Sequence, residues 1–127
     1  MLERYRDRYR FIGVISREEL AAFLAICDVH VLPSVNSTES FGMVQIEAAL
    51  CGTPSVATNL PGVREATRLT GMGLTVPPRD PRALGEGICN VLSHPGAHVQ
   101  HQAQIAEQFS PVNVAARYER LFESLLE

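Results

Sequence analysis

Residues 29–58 decide the fold: Val29-His30-Val31-Leu32-Pro33-Ser34-Val35-Asn36-Ser37-Thr38-Glu39-Ser40-Phe41-Gly42-Met43-Val44-Gln45-Ile46-Glu47-Ala48-Ala49-Leu50-Cys51-Gly52-Thr53-Pro54-Ser55-Val56-Ala57-Thr58. Residues 29–32 are rich in β-formers, with two valines and a leucine, and stop at Pro33, the pattern of a strand. A polar loop, 34–40, leads through Phe41-Gly42 into a helix predicted from about Met43 to Cys51. Gly52 is placed to end that helix, and Thr53-Pro54 prevents its continuation. Ser55-Val56-Ala57-Thr58 is again strand, running into a Pro61-Gly62 turn. Strand, helix, strand in so short a span is the unit of a parallel sheet.

The same alternation extends outward. Tyr9-Arg10-Phe11-Ile12, ahead of Gly13, is predicted to be a short strand. Ser16-Arg17-Glu18-Glu19 is a capping box, a hydroxyl at the N-cap and a carboxylate three residues on. The helix it opens carries Leu20, Phe23, Leu24 and Cys27 on one stripe. Downstream, a helical turn is predicted near residues 63–67, and Gly73-Leu74-Thr75-Val76 forms a further strand closed by Pro77-Pro78. Asp80-Pro81 supplies an N-cap and a proline at the first helical position, with Leu84, Ile88, Val91 and Leu92 as the buried stripe behind it. His94-Pro95-Gly96 interrupts. A less hydrophobic helix runs to Phe109, and Ser110-Pro111 starts a last one with Val114, Tyr118, Leu121, Phe122 and Leu125 on one face. The chain is thus predicted to be α/β, one domain over residues 1–127. Ligands of such sheets bind beyond the carboxyl ends of the strands, so loops 13–16, 34–42, 58–62 and 76–80 are the ones to watch.

Composition excludes several functions. The chain has 127 residues, and its 14 acids against 11 bases give a net charge of −3, the wrong sign for a general nucleic-acid binder. Every base is Arg, so chemistry that needs a lysine ammonium is not available from this chain. The longest apolar run, residues 20–27, is far short of the roughly 20 residues that span a bilayer. Residues 1–8 are too charged for a secretory signal, which leaves the Asn36-Ser37-Thr38 acceptor pattern inert. Cys27, Cys51 and Cys89 form no C-x-x-C pair and read as reduced thiols among apolar neighbours, consistent with a cytoplasmic location, with the inner face of a membrane as the alternative. His94, His98 and His101 read as solvated surface groups, and no metal site is expected.

Loop 34–42 is the richest in chemistry. It delivers the chain to a helix N-terminus, where free backbone N–H groups and the helix dipole make an anion site without a basic side chain. Gly42 would let a phosphate come close to the backbone. Glu39 lies just ahead of that site, and Glu47 lies five residues past Gly42, roughly 7–8 Å along the helix axis at 1.5 Å per residue. A carboxylate suits a vicinal diol because it accepts two hydrogen bonds. A nucleotide-diphosphate sugar offers one diol on its ribose, another on its sugar and a diphosphate between them. Glycoside hydrolases also pair carboxylates, but retaining ones need them about 5–5.5 Å apart, closer than this spacing suggests.

The pair Glu39 and Glu47 is an E-x7-E motif inside Thr38-Glu39-Ser40-Phe41-Gly42 and Glu47-Ala48-Ala49-Leu50-Cys51-Gly52-Thr53-Pro54. With Phe11-Ile12-Gly13, Cys27-Asp28-Val29-His30-Val31-Leu32-Pro33-Ser34, Asn59-Leu60-Pro61-Gly62 and Val76-Pro77-Pro78-Arg79-Asp80, it resembles the donor-binding half of a retaining GT-B glycosyltransferase of family 4, the "group 1" type, over residues 9–126. The resemblance implies a partial Rossmann-like parallel sheet flanked by helices, the C-terminal half of a GT-B donor domain. It implies that Glu39 is catalytic, holding hydroxyls of the transferred sugar, and that Glu47 holds the ribose. Backbone amides of Ser40, Phe41, Gly42 and Met43 would face the sugar and distal phosphate, and Gly13 and Val14 the nucleobase. The implied co-substrate is a nucleotide-diphosphate sugar, the acceptor a sugar, lipid or other molecule, and no cofactor or metal is expected.

The same resemblance implies parts this chain lacks: an N-terminal acceptor domain, and two β-α units whose Arg and Lys grip the diphosphate. The missing strands would lie between residues 9–12 and 29–32. The expectation is therefore a segment of a larger enzyme, completed by its own acceptor domain or by a complementary chain, and inactive alone. The alternative is a non-catalytic nucleotide-binding or partner module of a split glycosyltransferase.

Overall fold

The computed structural model describes residues 2–126. A 3₁₀ stretch, Leu2–Arg8, broken at Tyr5, is followed by α1 (Arg17–Ala25), β1 (His30–Leu32), α2 (Met43–Leu50), β2 (Ser55–Thr58), α3 (Arg64–Thr70), β3 (Gly73–Val76) and α4 (Pro81–Ser93). A 3₁₀ turn, Pro95–His98, then leads to α5 (Gln102–Gln108) and α6 (Pro111–Leu126). The three strands form one parallel sheet in the order β1-β2-β3, with Val31 opposite Val56 and Val56 opposite Leu74. This is a parallel sheet flanked by helices, as the alternating sequence pattern predicts, and it is Rossmann-like, as the resemblance implies.

Side-chain alternation along the strands divides the core. Val56 and Val76 point to one face and pack with Val91 of α4, flanked by Leu74, Leu84 and Ile88. α2 and α3 pack against each other and the sheet, and Ala49, Met72 and Ile105 form a second cluster closed by Phe109. β2 is buried at every residue because it has a strand on each side. The helix caps behave as written in the sequence. Ser16 and Glu19 form the reciprocal capping box, and the Asp80 carboxylate accepts the Ala83 N–H at 2.9 Å. Buried Thr53 donates to the Leu24 carbonyl at 2.5 Å and fastens the end of α1 to the turn after α2.

Four expectations need correction. Residues 9–12 form no strand; they have no regular secondary structure and are exposed, with Phe11 84% accessible. A strand is held by a neighbour, and β1 is an edge strand with no strand on its other side among the described residues. Leu92 is exposed, so the inner stripe of α4 rests on Leu84, Ile88 and Val91. Cys89 is likewise exposed, not enclosed among apolar groups. The helical turn near residues 63–67 is a longer helix, α3, which ends at Gly71. The apolar face of α6 forms as its spacing predicts, but Val114, Tyr118, Leu121, Phe122 and Leu125 remain exposed. No helix among the described residues is long and apolar enough to cross a membrane.

Candidate functional site

Loop 34–42 leaves the carboxyl end of β1 and enters α2 through Gly42, which stands in the left-handed region at φ +72°. A residue with a Cβ would be strained there, and its Cβ would run into the Gln45 amide. Gly42 has no side chain with which to cap α2. Glu39 supplies the cap instead, its Oε1 accepting the Gly42 N–H at 3.0 Å. The carboxylate thus lies at the positive end of the helix, where the dipole favours negative charge.

The rest of the loop is fixed from its base. Thr58 at the end of β2 donates its hydroxyl to the Ser34 carbonyl at 2.8 Å. The Thr38 hydroxyl donates to the Asn36 side-chain oxygen at 2.7 Å. Phe41 turns inward against Phe109, with ring centroids 6.4 Å apart, while Ser40 and Met43 remain exposed. The structure therefore brings Glu39, Ser40, Phe41, Gly42 and Met43 together at one strand end.

Glu47 lies farther along α2 on its exposed side, in a groove of about 220 Å³ shared with Arg17, Ala21, Leu24 and Cys51. That groove separates α2 from α1. Gly13 and Val14 stand just before α1, both exposed, with Gly13 at φ +70° and nothing near it to obstruct an added side chain. The two acids thus open onto neighbouring parts of the surface, one at the tip of α2 and one beside α1. A second hollow, about 250 Å³ and mostly apolar, lies among Pro33, Val35, Thr58, Pro77 and Leu84, also beyond the strand ends.

No cluster of His, Cys, Asp and Glu that could hold a metal occurs among the described residues. His98 Nε2 pairs with the Asn90 side-chain oxygen at 2.8 Å, and burial together with the Asp28 charge raises the Cys27 thiol above its usual value. His30 is different: it sits within the sheet, its Nδ1 3.0 Å from the Ser55 hydroxyl, and burial holds its pKa below the ordinary imidazole value.

Two residues outside the expected site set also shape it. Gln45 is buried beneath Gly42, and Gly62 lies against the Glu39 carbonyl. Gln45 was recoverable from helical spacing, because it lies on the inner stripe with Ala48 and Ala49. The contact of Gly62 with Glu39 joins residues 23 apart in two different loops and leaves no sequence signal.

Comparison with known proteins bears on this arrangement. Residues 3–109 match the model of the family described as glycosyl transferases group 1. A glycogen synthase of Mycobacterium tuberculosis is 40% identical over 99 residues, which cover 78% of this chain and 23% of that protein. A D-inositol 3-phosphate glycosyltransferase of Corynebacterium urealyticum is 34% identical over 119 residues, 91% of this chain and 28% of its own length. Among solved structures, a sucrose-phosphate synthase from Thermosynechococcus elongatus superposes with a TM-score of 0.76 at 30% identity, over 98% of this chain and 32% of that one. The chain spans about a quarter of the length of these curated relatives.

Proposed function

Since the chain belongs to the group 1 glycosyl transferases, we propose that it forms the donor-binding part of a family 4, GT-B enzyme that transfers a sugar from a nucleotide-diphosphate sugar with retention of configuration. The observation that carries this reading is the Gly42 turn, which opens α2 at a strand's carboxyl end between Glu39 and Glu47.

In this reading the Glu47 carboxylate accepts hydrogen bonds from the ribose diol, and Gly13 and Val14 lie along the base. Amides of Ser40, Phe41, Gly42 and Met43 stabilise the charge that develops on the departing diphosphate. Glu39 holds hydroxyls of the transferred sugar. The acceptor oxygen forms its bond to the anomeric carbon on the face from which the diphosphate leaves, and the acceptor proton passes to a leaving phosphate oxygen. No step calls for a metal. The acceptor, a sugar, lipid or other hydroxyl compound, is brought by an N-terminal domain or a complementary chain, and the fragment alone turns over nothing. The proposed location is the cytoplasm, with the inner face of the membrane for a lipid acceptor.

The second reading is a non-catalytic nucleotide-binding or partner module of a split glycosyltransferase. Titration of the ¹⁵N-labelled chain with UDP-glucose, GDP-mannose and ADP-glucose tests the donor site directly. Weak binding, with constants on the order of millimolar, is expected to shift the amides of residues 40–44 and 13–15. Silence of those amides with all three compounds would end the donor-site assignment. Sugar transfer on addition of the complementary polypeptide separates the enzyme from the passive module.

A further inference from the structure

α2 carries a polar residue where its inner face calls for an apolar one. Gln45 is 2% exposed, in the company of Ile46, Ala48 and Ala49. Both ends of its amide are used. Nε2 donates to the Val63 carbonyl at 2.7 Å, and Oε1 accepts the Thr67 hydroxyl at 2.5 Å. The Val63 carbonyl can only accept, so the amide orientation is forced. A methionine would fill similar space without desolvating an amide, and packing alone therefore gives no reason for Gln.

The reason lies in what these partners hold. Val63 directly follows Gly62, which stands at φ +81°, and a Cβ there would run into the Glu39 carbonyl and lie 3.0 Å from that of Ser40. Loops 34–42 and 58–63 are therefore joined three times. Thr58 to Ser34 joins them at the base, Gly62 against Glu39 at the tip, and Gln45 to Val63 through the helix. The Glu47 groove faces α1 and shares no lining residue with this lock.

We propose that Gln45 is a positioning residue that sets the gap between the Gly42 turn and the Gly62 loop, and with it the fit of the transferred sugar rather than of the nucleotide. The inference rests on the donor-site reading above. Sugar recognition at Glu39 then depends on a side chain that never touches the sugar.

The test titrates the wild-type chain, Gln45→Met, Thr67→Val and the double variant with UDP-glucose, GDP-mannose and ADP-glucose and with UDP, GDP and ADP, following amide shifts, alongside urea unfolding. The wild type is expected to prefer one nucleotide sugar over its nucleoside diphosphate. Gln45→Met should lower that preference about fivefold or more while leaving the diphosphate affinity within about twofold. The double variant, which also removes the Thr67 hydroxyl that Gln45→Met leaves unpaired, should regain part of the stability yet not the preference, which also guards against a single variant that does not fold. Recovery of the preference together with stability would make Gln45 purely structural. An unchanged preference in Gln45→Met, or a wild type with no preference at all, overturns the proposal equally. A wild type that binds none of the six compounds instead overturns the donor-site reading.

Discussion

The Glu39 carboxylate accepts the Gly42 N–H at 3.0 Å, three residues along the chain, and so caps the helix that Gly42 opens. In the proposed reading the same acid also meets the transferred sugar. The contact fixes the loop and holds the carboxylate at the end where α2 presents its free amides. These two roles are separable by substitution.

Glu39→Gln keeps an oxygen for the Gly42 N–H but removes the charge. In the assembled transferase it should cut turnover heavily with little change in stability. Glu39→Ala loses the cap as well and should cost about 1 kcal/mol, read from urea unfolding of the chain. Full turnover in Glu39→Gln would remove Glu39 from the reaction.

Glu47 is exposed and makes no ion pair among the described residues, so Glu47→Gln should leave unfolding unchanged. Its effect should appear as a raised donor KM at nearly constant kcat, since a ribose contact is made equally in ground and transition states. Steady-state kinetics of the assembled enzyme measure this split, and a pure kcat effect would contradict the ribose role.

Stability should depend on pH through His30. Burial lowers its folded pKa below the ordinary imidazole value, so between that lower value and about 6.5 the unfolded chain binds more protons. This contribution is complete above about pH 6.5 and is lost as pH falls towards the folded value. Urea unfolding across this range should show stability falling with acid, and His30→Gln, which keeps a partner for Ser55, should flatten that slope. An equal slope in the variant would point to another group.

Thr53→Val keeps the shape of a buried side chain but leaves the Leu24 carbonyl without its hydroxyl partner. The expected loss is about 1–3 kcal/mol in urea unfolding. Because the contact lies far along α2 from Gly42, the amide shifts of residues 40–44 should not change.

The strands at residues 55–58 and 73–76, the α2 and α4 helices and both capping motifs were legible because each is fixed by neighbours in the chain: a proline stop, a hydroxyl three residues before a free N–H, a repeated apolar stripe. Residues 9–12 were misread for the complementary reason. Tyr9-Arg10-Phe11-Ile12 has strand composition, yet composition cannot provide the hydrogen-bonding neighbour that makes a strand. Leu92 fits the α4 stripe by spacing, but the width of the sheet beneath decides where the stripe ends.

The site divides in the same way. By itself the sequence determined that Glu39 and Gly42 stand at the start of one helix and Glu47 farther along it, since helical rise and a glycine turn are local properties. Only tertiary structure decided that Phe41 turns away to meet Phe109 and that Gly62 and Gln45 lock a second loop against the first. Those relations join segments up to 68 residues apart, and close packing of two particular surfaces, which no local pattern encodes, is the force that brings them together.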